Sequence, residues 1–499
     1  MAGLKSLAKD TAIYGMSSII GSFLNYLLVP LYTAKLSAAS GGYGVITNMY
    51  SITALLLVLL TYGMETGFFR FVNKHDENSS AVYSTTLISV GTSSLLFIFF
   101  CLVLLHPIAD FLGYANNPEF IGMMAIVVAL DAFECIPFAH LRYKKRPIKF
   151  AAIKFLFIIP NIALNIFFFI CCPWLLTHYP STVSWFYNPG YGVGYAFIAN
   201  LICTSIQLVA LIGELRGFKY VFDKVLWKRM MAYSFPILIL GIAGILNLVV
   251  DKIIFPFLFT DHTKARVQLG IYGAASKVAM VMTMFTQAFR YAYEPFVFGK
   301  NKEEGSKKLY ADAMKYFIIF SLIAFLGVML YLDLFRYIIA RSYWSGLGVV
   351  SIVMIAAMLN GIYFNLSFWY KLIDKTIWGA YFSGIGCFLI IILNVILVPT
   401  YGYMACAWSS LIGYFTITTI SYLIGQKKYP INYDIKSIGK YALLTAIIFA
   451  VNEFIKIDNI LLRLFFKTIL FSIFIAYTVK KDFPLNQIPV INRFFNKKK

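Results

Sequence analysis

Residues 385–398 read IGCFLIIILNVILV, an apolar run in which Asn394 is the one strongly polar side chain. The pattern recurs 229 residues earlier, where Asn165 lies in the apolar segment 148–172. Runs of this kind suit membrane helices, which need about 20 residues to cross a hydrocarbon core of roughly 30 Å. A transmembrane barrel would show weaker alternation, in segments of about ten residues. The sequence therefore predicts an all-α membrane protein.

The composition is consistent with many such helices. Of the 499 residues, 60% are hydrophobic and 13% are charged, which is typical of polytopic membrane proteins. Fourteen segments are long and apolar enough to span a bilayer. They cover approximately residues 11–33, 45–72, 82–105, 119–141, 148–172, 191–213, 230–258, 268–298, 308–331, 346–370, 376–398, 402–424, 437–456 and 461–479.

The offset of 229 residues relates further positions in the two halves of the chain. The related positions are Tyr43-Gly44 and Tyr272-Gly273, Glu65 and Glu294, Arg142 and Lys371, and Arg146 and Lys375. Internal repeats are typical of transporters, and halves with an even number of spans are parallel. We therefore predict two parallel six-helix bundles, residues 1–228 and 229–428. Residues 429–499 would add a helix pair and a basic cytoplasmic tail.

The two Tyr-Gly pairs have an expected structural role. Both follow segments that the span boundaries place in external loops, ahead of the second and eighth helices. Glycine adopts backbone conformations with positive φ at little cost, which favours tight turns. We therefore expect each pair to begin a helix directly after a turn.

The net charge of +21 is unevenly distributed. Most Lys and Arg residues fall in connections that are cytoplasmic if the N-terminus is cytoplasmic, as the positive-inside rule requires. The pattern predicts a multi-pass membrane protein with both termini in the cytoplasm. Anionic lipid headgroups are sufficient partners for this charge, and no nucleic acid is implied.

Several charged residues lie within the predicted spans, where each costs at least about 2.5–3.5 kcal/mol on insertion scales. Arg290 and Glu294 are four residues apart and share a helix face. The repeat would place Glu65 and Glu294 across a central axis. These groups are compatible with a cavity in which an arginine binds an anionic headgroup and carboxylates couple a cation. Ion pairing that locks the bundle is the alternative.

Two further groups of intramembrane charges are candidates for coupling or gating. Asp251 and Lys252 are adjacent and about 100° apart on a helix, so we expect Asp251 to face a cavity and Lys252 to snorkel. Asp131 and Glu134 share a helix face, and Lys154 is expected to pair with one of them.

Arg142 and Arg146, with Lys371 and Lys375 in the second half, flank the cytoplasmic ends of helices. They either serve topology and lipid contact or form an electropositive mouth that concentrates a phosphate-bearing lipid.

Sequence signals for enzymes are missing. The chain contains no ATP-binding loop, no nucleophile elbow and no H-E-x-x-H zinc motif. The seven cysteines show no disulfide or metal-ligand spacing. We therefore predict no catalytic activity, no metal site and no cofactor beyond a coupling cation, with Na⁺ and H⁺ both open.

Residues 27–32 (LLVPLY) leading into Tyr43-Gly44, and residues 62–70 (YGMETGFFR), resemble the bacterial polysaccharide flippases of the O-antigen and capsule type. These belong to the multidrug/oligosaccharidyl-lipid/polysaccharide exporter (MOP) superfamily. The resemblance implies two six-helix bundles around a central cavity, alternating access, and an undecaprenyl-pyrophosphate-linked oligosaccharide as substrate. Polysaccharide polymerase or assembly proteins would be partners. Arg290, then Arg70 and Lys154, would be the pyrophosphate-binding cations.

Three other functions are compatible with parts of the pattern. A lipid II flippase also has fourteen helices and a cationic cavity, but the first predicted helix here lacks an arginine between Thr11 and Thr33. A multidrug exporter would usually stop at twelve helices. A non-transporting scaffold for envelope assembly would tolerate loss of Glu65, Arg290 and Glu294.

Overall fold

The computed structural model describes residues 20, 23, 24, 26–74, 77–300, 306–373, 375–454 and 457–482, without the side chains at 292, 294–296 and 298–300. All regular secondary structure in the described residues is helical. Its α-helices are α1 (Leu28–Lys35), α2 (Gly42–Thr61), α3 (Met64–Val72), α4 (Ser79–Val103), α5 (Leu105–Phe111), α6 (Pro118–Tyr143), α7 (Pro147–Ile166), α8 (Cys172–His178), α9 (Pro180–Val183), α10 (Gly194–Leu211), α11 (Lys224–Ile254), α12 (His262–Lys300), α13 (Ser306–Leu330), α14 (Leu332–Phe335), α15 (Val349–Leu366), α16 (Phe368–Leu372), α17 (Ile377–Tyr401), α18 (Tyr403–Lys428), α19 (Ile435–Phe454) and α20 (Ile460–Asp482).

Thirteen helical segments in the described part of the chain are long and apolar enough to cross a membrane. They correspond one by one to the predicted second to fourteenth spans. One of them, Pro147–His178, joins α7 and α8 through a π-helical segment, Phe167–Cys171. About half of the predicted first span, 11–33, lies outside the described residues. The all-helical, multi-span fold is therefore confirmed.

The chain divides into two compact units, each made of several segments. The first unit comprises Met1–Ala274, Ile339–Gly346 and Gly379–Ser410. The second comprises Ala275–Ile338, Leu347–Trp378 and Leu411–Lys499. The division into repeats at residues 228 and 428 stays a prediction.

A sharp bend separates α2 from α3 within one membrane span. Tyr62 and Gly63 both have positive φ, 33° and 72°. A Cβ atom at Gly63 would lie 2.7 Å from the backbone oxygen of Ser234 in α11, so glycine permits both the turn and the close approach. Met64 and Phe68 follow the bend and are fully buried in an apolar cluster. This packing fixes the first turn of α3, which carries Glu65.

The Tyr-Gly pairs serve helix packing, which corrects the expectation from sequence. Tyr43-Gly44 does lie in the first turn of α2, but Tyr272-Gly273 lies well inside α12, which begins at His262. Neither Gly44 nor Gly273 has positive φ. A Cβ atom at Gly44 would collide with the backbone of Arg266, and one at Gly273 would collide with Thr47. Small residues allow two membrane helices to approach this closely.

The last helix, α20, is joined to α13 and α14 by ion pairs in the second unit. Lys315 in α13 pairs with Asp482 at the end of α20. Asp333 Oδ2 in α14 accepts a hydrogen bond from Lys467 Nζ at 2.8 Å. The same oxygen lies 3.2 Å from Arg463 Nε. Ion pairs therefore hold α20 near both of its ends.

Candidate functional site

Glu65 and Arg142, predicted for different roles, form an ion pair in the first unit. An Arg142 guanidinium nitrogen contacts Glu65 Oε1, and the Cys135 thiol donates to Glu65 Oε2 at 2.8 Å. The two charged side chains remain 35% and 34% exposed. The guanidinium of Arg142 also lies 5.1 Å from the ring of Phe69. The bend before α3 positions Glu65, which we predicted to couple a cation, against Arg142 at the end of α6. Arg142 was predicted to belong to the cytoplasmic mouth.

Lys154 lies in the same region, within electrostatic range of Asp131, Glu134 and Arg142. Its ammonium group sits 4.0 Å from the ring centre of Phe138. In the part of the chain that the structure describes, Lys154 forms no direct ion pair with either carboxylate. The predicted pairing is therefore an electrostatic interaction over a longer distance.

Glu134 has a neutral partner on another helix. Its Oε2 accepts a hydrogen bond from Gln207 Nε2 in α10, and the carboxylate is fully buried. Glu134 Oε1 and Gln207 Oε1 are also buried, and neither has a hydrogen-bond partner among the described residues. Buried polar atoms normally have partners. A proton or a small cation bound here would give these two oxygen atoms, Glu134 Oε1 and Gln207 Oε1, the partner that they lack.

These residues form one charged cluster across α3, α6 and α7. It contains the carboxylates Glu65, Asp131 and Glu134 and the cations Arg142 and Lys154. Three carboxylates face two cations, so one negative charge is in excess when all five groups are ionised. An uncompensated charge at membrane depth is costly.

Asp251 and Lys252 form a second intramembrane site, and here the prediction that Lys252 snorkels is wrong. Lys252 Nζ lies 2.9 Å from Asp251 Oδ1 and 3.1 Å from Oδ2. Tyr272 donates its hydroxyl to Asp251 Oδ2 at 2.7 Å. The flexible lysine stem folds back onto the preceding residue, because a buried carboxylate needs a cation nearby. Lys252 therefore neutralises the carboxylate that we had expected to face a cavity.

Arg290 and Lys371, predicted for different roles, both lie beside one aromatic ring in the second unit. The guanidinium carbon of Arg290 is 4.3 Å from the ring centre of Phe364, and Lys371 Nζ is 4.8 Å from it. Lys371 also approaches Phe368, at 4.9 Å. Arg290 is exposed, and no described carboxylate pairs with it. The side chain of Glu294 lies outside the described residues.

The remaining predicted cations make contacts separate from one another. Arg70 is exposed and stacks on Tyr233 in α11, 4.0 Å from the ring centre. Arg146 lies 3.7 Å from Glu214, and Lys375 is exposed after α16. The structure does not bring Arg70, Arg146 and Lys154 into one group.

Sequence reasoning missed three partners: Glu214, Gln207 and Tyr272. Glu214 is one of two acidic residues in the basic connection 214–229, a signal that was available. Gln207 and Tyr272 are uncharged, so the search for intramembrane charges passed over them. Tyr272 had been noted only for the glycine that follows it.

The chain was compared with known protein families. Residues 7–292, more than half of the chain, match the model of a family described as "Polysaccharide biosynthesis protein". The chain belongs to the polysaccharide biosynthesis protein family. The matched region of this family member includes Glu65, Asp131, Glu134, Asp251 and Arg290. No match was found in the comparison with curated proteins.

Solved structures with the same fold include three membrane transporters. The lipid II flippase MurJ, in an inward closed conformation, is 16% identical with a TM-score of 0.73, over 94% of this chain and 98% of MurJ. An inward-facing multidrug resistance MATE family transporter of the MOP superfamily is 14% identical with a TM-score of 0.63, over 84% of this chain and 95% of the transporter. The MATE multidrug transporter DinF-BH is 15% identical with a TM-score of 0.60, over 85% of this chain and 96% of DinF-BH.

These comparisons confirm the resemblance on which the sequence analysis relied. The family is the predicted one, and the fold is that of MurJ and the MATE transporters. This polysaccharide biosynthesis protein is therefore a multi-pass membrane protein with a transporter fold.

Proposed function

We propose that this chain is a flippase. It moves an undecaprenyl-pyrophosphate-linked oligosaccharide from the inner to the outer leaflet of the bacterial inner membrane, by alternating access, for cell-surface polysaccharide biosynthesis. Polysaccharide polymerase or assembly proteins would receive the product. The observation that carries this proposal is Arg290, an exposed cation on the membrane helix α12 of a polysaccharide biosynthesis protein.

The contacts of Arg290 support its role as an anion-binding residue. Phe364 holds the guanidinium by a cation–π contact, which attracts the cation without neutralising its charge. The guanidinium edge can still donate paired hydrogen bonds to a phosphate. Lys371 Nζ also lies beside this ring, 4.8 Å from its centre. Arg70 and Lys154 are further candidate cations for the same substrate.

The test is a flipping assay with purified protein in liposomes. A fluorescent undecaprenyl-pyrophosphate oligosaccharide is incorporated in both leaflets, and a membrane-impermeant quencher bleaches the outer leaflet. Protein that flips the lipid makes nearly all of the fluorescence accessible, whereas protein-free liposomes retain about half of it. Undecaprenyl monophosphate with the same fluorophore is the control for the pyrophosphate.

Lipid II, labelled in the same way, tests the alternative that the fold of MurJ suggests. Flipping of lipid II and not of oligosaccharide lipids would assign the chain to peptidoglycan precursor transport. Efflux of a cationic dye would support the multidrug alternative. Folded protein that moves none of these substrates would favour a scaffold for envelope assembly.

We also propose that transport is coupled to one Na⁺ or H⁺ at the charged cluster around Glu134. The excess negative charge and the two buried oxygens without donors support this position. Glu134 interacts electrostatically with Asp131 and Lys154 and accepts a hydrogen bond from Gln207. The ion pair of Glu65 and Arg142 is the other part of the cluster. At Asp251, in contrast, Lys252 already occupies the position of a cation.

Glu134→Gln removes the excess charge, so we expect transport to continue but no longer to respond to an ion gradient. Initial flipping rates are measured with a pH gradient, with a Na⁺ gradient and with neither. The wild type is accelerated by one of the two gradients, which identifies the ion. Glu119→Gln, at the other end of α6, is the matched control and should keep the acceleration. Full gradient dependence in both Glu134→Gln and Asp131→Asn would contradict coupling at this cluster.

A further inference from the structure

A polar cavity of about 260 Å³ lies at one end of the first unit. It is lined by the start of α4, the junction between α6 and α7, and the turn that follows α10. The positive-inside pattern predicts that these helix ends face the cytoplasm. The cavity therefore lies near the level of the inner-leaflet headgroups.

Among the residues that the structure describes, Glu214 is the one carboxylate in the wall of this cavity. It is only 4% exposed and has three cationic or ionisable neighbours. Lys149 Nζ lies 2.6 Å from Oε1, Arg146 Nη1 lies 3.7 Å from Oε1, and His140 Nδ1 lies 3.1 Å from Oε2. A buried carboxylate needs such partners. Glu214 thus holds basic side chains at the cavity wall.

The basic residues outnumber this carboxylate. Lys144, Arg146, Lys149 and Arg216 all line the cavity, and one of their four charges is balanced by Glu214. Lys144 and Arg216 are exposed and pair with no carboxylate in the described ranges. Three positive charges therefore remain around a polar space, an arrangement that attracts an anion.

The inner wall of the cavity is built from packed aromatic side chains. The ring of Tyr83 stacks on His140 with centres 4.1 Å apart, and Phe218 packs against its edge at 4.9 Å. The Tyr83 hydroxyl donates to the backbone oxygen of Glu214 at 3.0 Å. A site whose walls are already ordered loses little conformational entropy on binding.

Apolar side chains next to the cavity point to a lipid as the source of the anion. Ile148 precedes Lys149 in sequence and is 77% exposed. Val221 and Phe222, shortly after Phe218, are also exposed. Basic pockets between membrane helices on the cytoplasmic side are suited to lipid headgroups. The exposed apolar residues would contact the acyl region.

We propose that this cavity binds the phosphate group of an anionic membrane lipid, through Lys144, Arg146, Lys149 and Arg216. The chemistry recognised is a phosphate ester. An inner-leaflet phospholipid is the expected source, and the pyrophosphate of a polyprenyl lipid and free phosphate share the same chemistry. The proposal does not depend on flippase activity, because binding is measured without transport.

The test is titration calorimetry of the full chain in neutral detergent. The probes are dioctanoyl phosphatidylglycerol, dioctanoyl phosphatidylcholine, undecaprenyl diphosphate and inorganic phosphate. The variant Lys144→Gln/Arg216→Gln leaves the partners of Glu214 in place, so the wall of the cavity should stay folded. Lys307→Gln/Lys308→Gln, which removes two exposed lysines elsewhere, is the charge-matched control.

We expect phosphatidylglycerol to bind the wild type and the control equally. The Lys144→Gln/Arg216→Gln variant should bind it roughly 30-fold more weakly, from the usual contribution of two basic residues. The same loss with undecaprenyl diphosphate or inorganic phosphate as the only bound probe would support a phosphate site and identify another source. Equal binding of every probe by the variant and the control, or equal binding of phosphatidylcholine and phosphatidylglycerol, would overturn the proposal.

Discussion

Arg290→Ala is expected to lower the initial rate of flipping of a pyrophosphate-linked oligosaccharide by roughly 10- to 150-fold. A hydrogen bond to a charged group contributes about 1.5–3 kcal/mol, and every 1.4 kcal/mol is about tenfold in affinity. Arg290 is exposed, and Phe364 holds it without neutralising it, so the loss should fall on substrate binding and not on folding. The rate is measured in the liposome assay, over a range of substrate densities.

Two companion variants separate charge from geometry at this position. Arg290→Lys retains the charge but loses the planar fork, so it should recover only part of the rate. Arg341→Ala removes another exposed arginine that lies beside an aromatic ring, Trp344, and should stay within about twofold of the wild type. Wild-type flipping by folded Arg290→Ala protein would show that Arg290 does not bind the phosphate.

The helices of this protein were predictable because apolar length alone decides whether a segment spans a bilayer. Pro118–Tyr143 and Ile377–Tyr401 each match a predicted span to within a few residues. The family was also accessible, because the residues around the bend at Tyr62-Gly63 carry the resemblance. The cost of a charge within a membrane span directed attention to Glu65 and Asp251 as candidates.

The pairing of these charges was not predictable from one sequence. The partner of Glu65 is Arg142, 77 residues away, and only the packing of α3 against α6 brings them together. Adjacent residues on a helix point about 100° apart, so we predicted that Asp251 and Lys252 face different surroundings. The lysine side chain is long enough to fold back onto the carboxylate. Glycine is favoured both in tight turns and where two helices pack closely. The sequence therefore could not show that Gly273 serves a helix contact and not a turn.

Asp251→Asn is expected to cause the largest loss of stability among single substitutions at the candidate site. Asp251 is 3% exposed, and both of its oxygens are occupied by Lys252 and Tyr272. Removing one partner of a buried ion pair typically costs about 3–5 kcal/mol, because the other charge is left unpaired. The measurement is the free energy of unfolding in mixed micelles, followed by tryptophan fluorescence.

The double variant Asp251→Asn/Lys252→Met tests the cause of this loss. It removes the unpaired ammonium group while keeping an apolar side chain of similar length, so most of the lost stability should return. Glu77→Gln is the control at a less buried pair, in which Glu77 is 12% and Arg229 is 51% exposed. Pairs at the surface contribute about 0–1 kcal/mol. If the double variant is as unstable as Asp251→Asn, the loss comes from the hydrogen bond of Tyr272 and not from Lys252. If Asp251→Asn is as stable as Glu77→Gln, the carboxylate is not the counter-ion of Lys252, and Asp251 becomes available for the cation that drives transport.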